Sequence, residues 1–226
     1  DHVEVGTQVI KTRQGWLMIY AHIQHYKRSD KVFGFEAILL DEGNPRVIKA
    51  RTWHPFMIPF EPYELFGIVP NVIFPSGLTL KDNILRLYYG AADTVVAIAE
   101  ENIHDFLSRL DFVNPGITEI MRYRKNPVLT PRWDHEWEQI NVYNPAAIDL
   151  DGRVHLLYRA QGKDGTSYIG YASSANGYDF DTRLDTPAYW PRMEFEEKKS
   201  NGFSGCEDPR ITKIGNKIYM CYSAFD

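Results

Sequence analysis

One element recurs along the chain and constrains the fold more than any other feature. It is a polar turn, a short apolar run, a tyrosine, and then a small or polar residue. Copies are Asn83-Ile84-Leu85-Arg86-Leu87-Tyr88-Tyr89-Gly90, Gly152-Arg153-Val154-His155-Leu156-Leu157-Tyr158-Arg159 and Asn216-Lys217-Ile218-Tyr219-Met220-Cys221-Tyr222-Ser223, with a fourth in Gly15 to Ala21. Further β-type runs span Phe33 to Leu40, Val72 to Thr79, Tyr168 to Ala172 and Arg210 to Ile214. Each is rich in branched and aromatic residues and bounded by Gly, Asp, Asn or Pro. The polar pairs Asp151-Gly152 and Gly215-Asn216, and Lys81-Asp82-Asn83, predict tight hairpins. Strands so spaced predict an all-β chain, as a barrel, sandwich or propeller. A repeat of roughly 60 to 70 residues fits one four-stranded blade per copy and favours the propeller. One short helix is predicted over Ala99 to Leu110, with Ile103, Phe106, Leu107 and Leu110 on one face. Asp111 to Gly116 then reads as a linker.

At 226 residues the chain is long enough to bury a sizeable core. With 44% hydrophobic and 24% charged residues it has the composition of an ordered soluble protein. The net charge of −5 and the lack of any basic run disfavour a nucleic-acid partner. No apolar stretch reaches the ~18 residues a spanning helix needs, so no membrane span is expected. The compartment, cytoplasmic or periplasmic, stays open. Cys206 and Cys221 have no metal-ligand spacing; they are expected as free, buried thiols, with one disulfide as the alternative. No cofactor motif and no clustered metal ligands appear, so no cofactor and no metal are expected.

Polar residues just after strands are natural ligand contacts in a propeller. Glu207-Asp208-Pro209-Arg210 opens a β-run, and the proline fixes the backbone directly after Asp208. A structural ion pair with Arg210 is the competing reading. Asp93 follows a strand, where a turn-forming role is common. Asn144 and Arg159 also flank strands and suit sugar hydroxyls. Trp133, Trp137 and Trp190 fit sugar stacking or plain packing equally; His54 and His155 read as surface or satisfied histidines.

Taken together, several segments resemble glycoside hydrolase family 130, the β-mannoside phosphorylases and mannosidases. They are Val142-Tyr143-Asn144-Pro145-Ala146-Ala147, Leu157-Tyr158-Arg159-Ala160, Gly205-Cys206-Glu207-Asp208-Pro209-Arg210, Val69 to Gly77, and Tyr88-Tyr89-Gly90-Ala91-Ala92-Asp93-Thr94. The resemblance implies a five-bladed β-propeller, of which this chain accounts for roughly three to four blades, with the site in the central funnel. It reads 1–226 as a single propeller domain. Residues 1–111 resemble the family's C-terminal part and 112–226 its N-terminal part, a permuted order lacking a middle segment. A propeller is circular, so permutation is tolerable, whereas a lost blade leaves strand edges to cover.

The resemblance further implies that Asp208 is the general acid, acting through a sugar hydroxyl. It places Asn144, Arg159 and Asp93, with Tyr143, Glu207 and Arg210 beside them, as substrate-binding residues. The substrate it implies is an oligosaccharide, and self-association into a homo-oligomer is compatible with it. Inversion needs either phosphate or an activated water on the opposite face. Phosphorylases of the family carry a Lys where this chain has Glu4, and a His where it has Ala21; His22 comes one place later, on the other face of a strand. Glu36 is a second carboxylate, at a position usually small. Phosphate needs cationic donors, whereas water needs a carboxylate base. The reading is therefore an inverting β-mannoside hydrolase with Glu4 or Glu36 as base. The alternatives are a phosphorylase, with inorganic phosphate as co-substrate, and a non-catalytic glycan-binding propeller.

Overall fold

The structure is a computed structural model that describes residues 2–110, 120–197 and 203–225. Antiparallel sheets follow one another along the chain as blades. The first holds β1 (His2–Glu4), β2 (Ile10–Lys11), β3 (Trp16–Gln24), β4 (Val32–Leu40) and β5 (Ile48–Arg51), in the order β1-β3-β4-β5 with β2 also on β3. The second holds β6 (Ile73–Lys81), β7 (Ile84–Ala91), β8 (Val95–Asn102) and β9 (Met121–Arg122), in chain order. The third holds β10 (Asn141–Leu150), β11 (Arg153–Gln161), β12 (Thr166–Ser174) and β13 (Thr182–Arg183). A hairpin of β14 (Ser204–Ile214) and β15 (Lys217–Phe225) begins a fourth blade; its first residues pair in parallel with Thr166 and Ser167 of β12.

Local chemistry explains the hairpins. Asp82 and Asn83 take φ of 51° and 61°, and Asp151 and Gly152 take 51° and 80°, the left-handed pairs that two-residue turns between twisted strands require. Apolar residues alternate inward along the strands, and the fully buried Leu17, Ile19, Ala21 and Ile23 of β3 are spaced two apart. One core cluster joins the first and second blades through Phe35, Tyr89 and Phe106; another joins the second and third through Tyr88, Val96 and Tyr158.

The predicted helix is shorter than its sequence pattern. Ala99 to Asn102 complete β8, and the helix, α2, spans Ile103–Arg109 with the Asn102 side chain accepting from the His104 N–H at 2.9 Å. Cross-strand pairing with Leu87 and Arg86 claims Ala99 and Glu100 before helical periodicity can. The linker expected at 111–116 lies outside the described residues. Two short turns of helix, α1 (Pro62–Leu65) and a 3₁₀ turn at Glu136–Glu138, carry no sequence periodicity. Both cysteines are free thiols, but only Cys206 is buried; Cys221 is exposed on β15, the outermost strand of its sheet.

Three buried glutamates each clasp one blade. Glu64 of α1 accepts from the Tyr89 hydroxyl at 2.8 Å and from Arg122 at 2.9 and 3.0 Å. Glu138 accepts from Tyr158 at 2.9 Å, from Arg183 at 2.6 Å and from Arg132. Glu196 accepts from Tyr189 at 2.8 Å and from Tyr222. Tyr89, Tyr158 and Tyr222 are the tyrosines of the sequence repeat, so that residue is a blade clasp. All three carboxylates are fully buried, and their donors make that burial tolerable.

The strands β6, β10 and β14 lie innermost. Gln8 bridges the carbonyls of Leu78 on β6 and Ala147 on β10, each at 2.7 Å. Arg210 on β14 donates to the Gly6 carbonyl at 2.9 Å, bringing the fourth blade to the first. All three inner strands bulge at the same level, at Pro75/Gly77, Tyr143/Ala146 and Glu207/Arg210.

Candidate active site

Two of these bulges carry the site. Asn144 precedes Pro145 and Asp208 precedes Pro209. Proline bars its predecessor from right-handed helical backbone, and both residues take left-handed values, φ 47° and 50°. Asn and Asp tolerate that region best among residues with a Cβ. Asp93 sits at φ 50° in the turn between β7 and β8, beside Ala92 at 46°. Such strain clusters at functional sites, where the surroundings over-determine it. Here the loop before β6 presses on the Asp93 turn: a Cβ on Gly67 would lie 2.5 Å from the Ala92 carbonyl oxygen.

The bulges bring the two side chains together. Asn144 Nδ2 donates to Asp208 Oδ1 at 2.9 Å, and Arg159 Nη1 stands 3.5 Å from the same oxygen. Arg159 Nη2 bonds Glu207, and Arg159 Nε donates to Ser167 Oγ at 3.1 Å, which in turn donates to Glu207 at 3.1 Å. Gln161 donates to Ser167 at 2.8 Å and accepts from Tyr143 and Asn141, each at 3.1 Å. The Arg159 guanidinium lies 4.9 Å from the Tyr143 ring centroid, a cation–π distance. Gly90 makes room for Asn144: a Cβ there would lie 2.7 Å from Asn144 Oδ1. That Oδ1 is buried and has no hydrogen-bond partner among the described residues.

A cavity of about 310 Å³ opens over this network, lined by Asp93, Asn141, Tyr143, Arg159, Gln161 and Glu207, with Ile68, Val69 and Phe203 at its apolar side. Burial raises the Asp93 carboxyl to about 6, helped by Asp208 and opposed by Arg159. Burial also raises Glu207, opposed chiefly by Arg159. Asp208 Oδ1 is taken by two donors, Asn144 and Arg159. The side chain keeps 34% of its exposure, enough to meet a ligand.

The sequence candidates thus separate. Asp208, Asn144, Arg159, Glu207, Tyr143 and Asp93 converge. Arg210 turns away from Asp208, to the backbone carbonyls of Gly6 and Pro209, so the acid pairs with Arg159 instead. Among the described residues no hydrogen bond or ion pair links Glu4 or Glu36 to the cluster. Glu36 pairs across strands with Tyr20, accepts from its hydroxyl at 2.5 Å, and meets His22 Nδ1 at 2.6 Å. His22 therefore shares the Tyr20 face, as the one-residue step predicts. Glu4 pairs with Ala21, on the opposite face of the first blade, and its carboxylate lies 3.5 Å from His2. Ser167, Gln161, Asn141 and Phe203 belong to the site without any signal in the sequence. His155 is a satisfied strand histidine, between Tyr171 and the Leu150 carbonyl; Trp133 and Trp190 are exposed. Among the described residues no group of three or more His, Cys, Asp or Glu is placed to hold a metal, and no helix is long and apolar enough to cross a membrane.

The glycoside hydrolase 130 family model, described as beta-1,4-mannooligosaccharide phosphorylase, matches residues 1–112 and 118–226. The chain belongs to this family. It is 38% identical over 97 residues to a 1,2-beta-oligomannan phosphorylase of a Thermoanaerobacter species, a match spanning 43% of this chain and 31% of that protein. It is 33% identical over 106 residues to the beta-1,2-mannobiose phosphorylase of Listeria innocua, across 47% of this chain and 29% of the relative. A beta-1,4-mannooligosaccharide phosphorylase of Ruminococcus albus is 34% identical over 106 residues, across 46% and 31%. The chain spans about a third of the length of these curated relatives. Among solved structures, a provisional glycosidase from Bacteroides thetaiotaomicron aligns with a TM-score of 0.62 at 16% identity, over 96% of this chain and 63% of that one. An alpha-L-arabinofuranosidase from Lactobacillus brevis aligns at 0.54 and 15%, over 95% and 63%. The shared fold is the five-bladed β-propeller, of which the described residues supply three blades and the opening hairpin of a fourth.

Proposed function

We propose that this site cleaves β-mannosidic bonds in oligosaccharides with inversion, and that Asp208 supplies the proton. The observation that carries the reading is the Asp208 carboxyl itself. One oxygen is fixed by Asn144 and Arg159, and the other is free for the proton. The names of the curated relatives, all β-mannoside phosphorylases, supply the sugar class.

In the hydrolytic form, water attacks the anomeric carbon from the face opposite the leaving oxygen. A carboxylate takes the water proton, and the departing oxygen gains the proton that leaves Asp208 Oδ2 through a sugar hydroxyl. The base we assign is Glu4. It pairs with Ala21, and Thr7, three residues on, donates to the Ile19 carbonyl at 2.9 Å, the same three-against-two step that follows Tyr143 and Glu207 in their blades. Those two residues line the cavity, whereas Glu36 is engaged by Tyr20 and His22 on the opposite face. The charge balance also favours water over phosphate. Asp93, Glu207 and Asp208 stand around Arg159, whose guanidinium Glu207 and Asp208 already pair, and Arg210 is spent on carbonyls. Phosphorolysis is the second reading, favoured by the relatives' names.

Product analysis on β-linked manno-oligosaccharides, with and without inorganic phosphate, separates the two. Free mannose independent of phosphate, lost in Asp208→Asn and in Glu4→Gln, is the expected result. Mannose 1-phosphate formed only with phosphate transfers the assignment to phosphorolysis. No product under either condition overturns the catalytic reading.

A further inference from the structure

A second cavity, of about 580 Å³, lies on the rim of the third blade, lined by Glu136, Trp137, Gln139, Lys163, Asp164 and Tyr168. Its place follows from the strands that build the site. Asn141 opens β10 and Gln161 closes β11; the two pair with each other and line the funnel cavity. Gln139 and Lys163 are two residues further out on the same two chain segments, at most about 7 Å of chain away. The second cavity therefore neighbours the funnel cavity at the outer end of these strands. It is also built close. A Cβ on Gly162 would lie 2.0 Å from the Glu136 carbonyl oxygen, so the β11–β12 turn sits directly against the 3₁₀ turn.

Its chemistry suits a sugar. Trp137 is held rigid: its indole N–H donates to the Asp185 carbonyl at 2.9 Å, and its ring stacks near Tyr158 at 6.4 Å and 21°. Tyr168 meets it edge-on at 6.4 Å and 78°. An aromatic wall fixed in advance loses little entropy on binding. Around it stand groups for hydroxyls. Asp164 accepts from the Tyr168 hydroxyl at 3.1 Å, and the Gln139 amide reaches the Glu136 carbonyl at 3.0 Å. Lys163 carries no hydrogen bond or ion pair among the described residues.

We infer that this cavity is a distal subsite for the outlying units of an oligosaccharide whose end is held in the funnel, so that the chain prefers long substrates over disaccharides. The inference rests on the mannoside reading and goes beyond it in assigning length selection to the third-blade rim. Calorimetry with the Asp208→Asn form tests it, using β-linked mannobiose and mannohexaose. The hexaose is expected to bind about fivefold tighter or more, the worth of one additional aromatic contact. That gap should close in Trp137→Ala and in Lys163→Ala while mannobiose affinity stays unchanged; the lysine variant disturbs no packing. Equal affinity for both lengths, or a gap that survives both substitutions, overturns the subsite and leaves the mannoside reading standing. Binding of neither sugar overturns both.

Discussion

At the scale of single residues, the site is set by what the backbone allows at three positions. Asn144 and Asp208 are legible in the sequence because Asn-Pro and Asp-Pro at a strand entrance point to a fixed, unusual backbone, and both are found left-handed. Glu207 is legible only as a neighbour; that it clamps Arg159 depends on Ser167 and Gln161, which two strands, β12 and β11, contribute from elsewhere in the chain. Asp208→Asn should lower turnover by at least about a hundredfold, the usual worth of a general acid, while circular dichroism and melting temperature stay near those of the parent. Asp93 gives a pH prediction. Burial lifts its carboxyl from the ordinary 3.8 to about 6, so the folded state holds a proton that the unfolded state has lost between those values. Stability from this group is complete below about pH 4 and is lost as pH rises through about 6. Asp93→Asn should therefore be more stable than the parent at pH 8 and no more stable at pH 4. Urea midpoints at the two pH values measure this; an equal difference at both would contradict it.

At the scale of elements, the repeat signalled strands correctly but concealed its own purpose. The recurring tyrosine looks like a core or surface aromatic, yet Tyr89, Tyr158 and Tyr222 each reach a buried glutamate from the turn before their blade. A glutamate in Pro-Tyr-Glu-Leu or His-Glu-Trp-Glu reads as solvated, because its partners are distant and no periodicity marks them. Glu138→Ala would strand Arg183, Arg132 and Tyr158 in the interior, and should cost on the order of 3–5 kcal/mol in chemical unfolding. Tyr158→Phe removes one bond and should cost about 1 kcal/mol. The helical pattern starts at Ala99 but the helix starts at Ile103 for a related reason: Ala99 to Asn102 fit either period, and the pairing partner on β7 decides. Gly90 on β7 offers a sharper test. Gly90→Ala places a Cβ against Asn144 Oδ1, at 2.7 Å before relaxation. It should push the amide off Asp208 and reduce activity about as far as Asn144→Ala does, which initial-rate measurements on both variants would show.

At the scale of the whole molecule, the all-β class and the blade repeat were legible because turn chemistry and apolar alternation act locally. How the blades meet was not, since Gln8 and Arg210 are single polar side chains reaching backbone carbonyls far along the chain. These long reaches differ from the clasps in a way that matters for how the chain acquires its structure. A clasp joins residues 20 to 26 apart, whereas Arg210 and Gly6 are 204 apart. Closing the longer loop costs about 2 kcal/mol more in chain entropy. Blades can therefore condense one at a time, each around its own carboxylate, before the seam between first and fourth is drawn shut. Arg210→Ala should leave the refolding rate nearly unchanged and speed unfolding, the signature of a contact formed after the rate-limiting step. Stopped-flow refolding and unfolding limbs would show the asymmetry. During synthesis, each of these blades can form around its own carboxylate as its strands emerge, before Arg210 is there to reach Gly6.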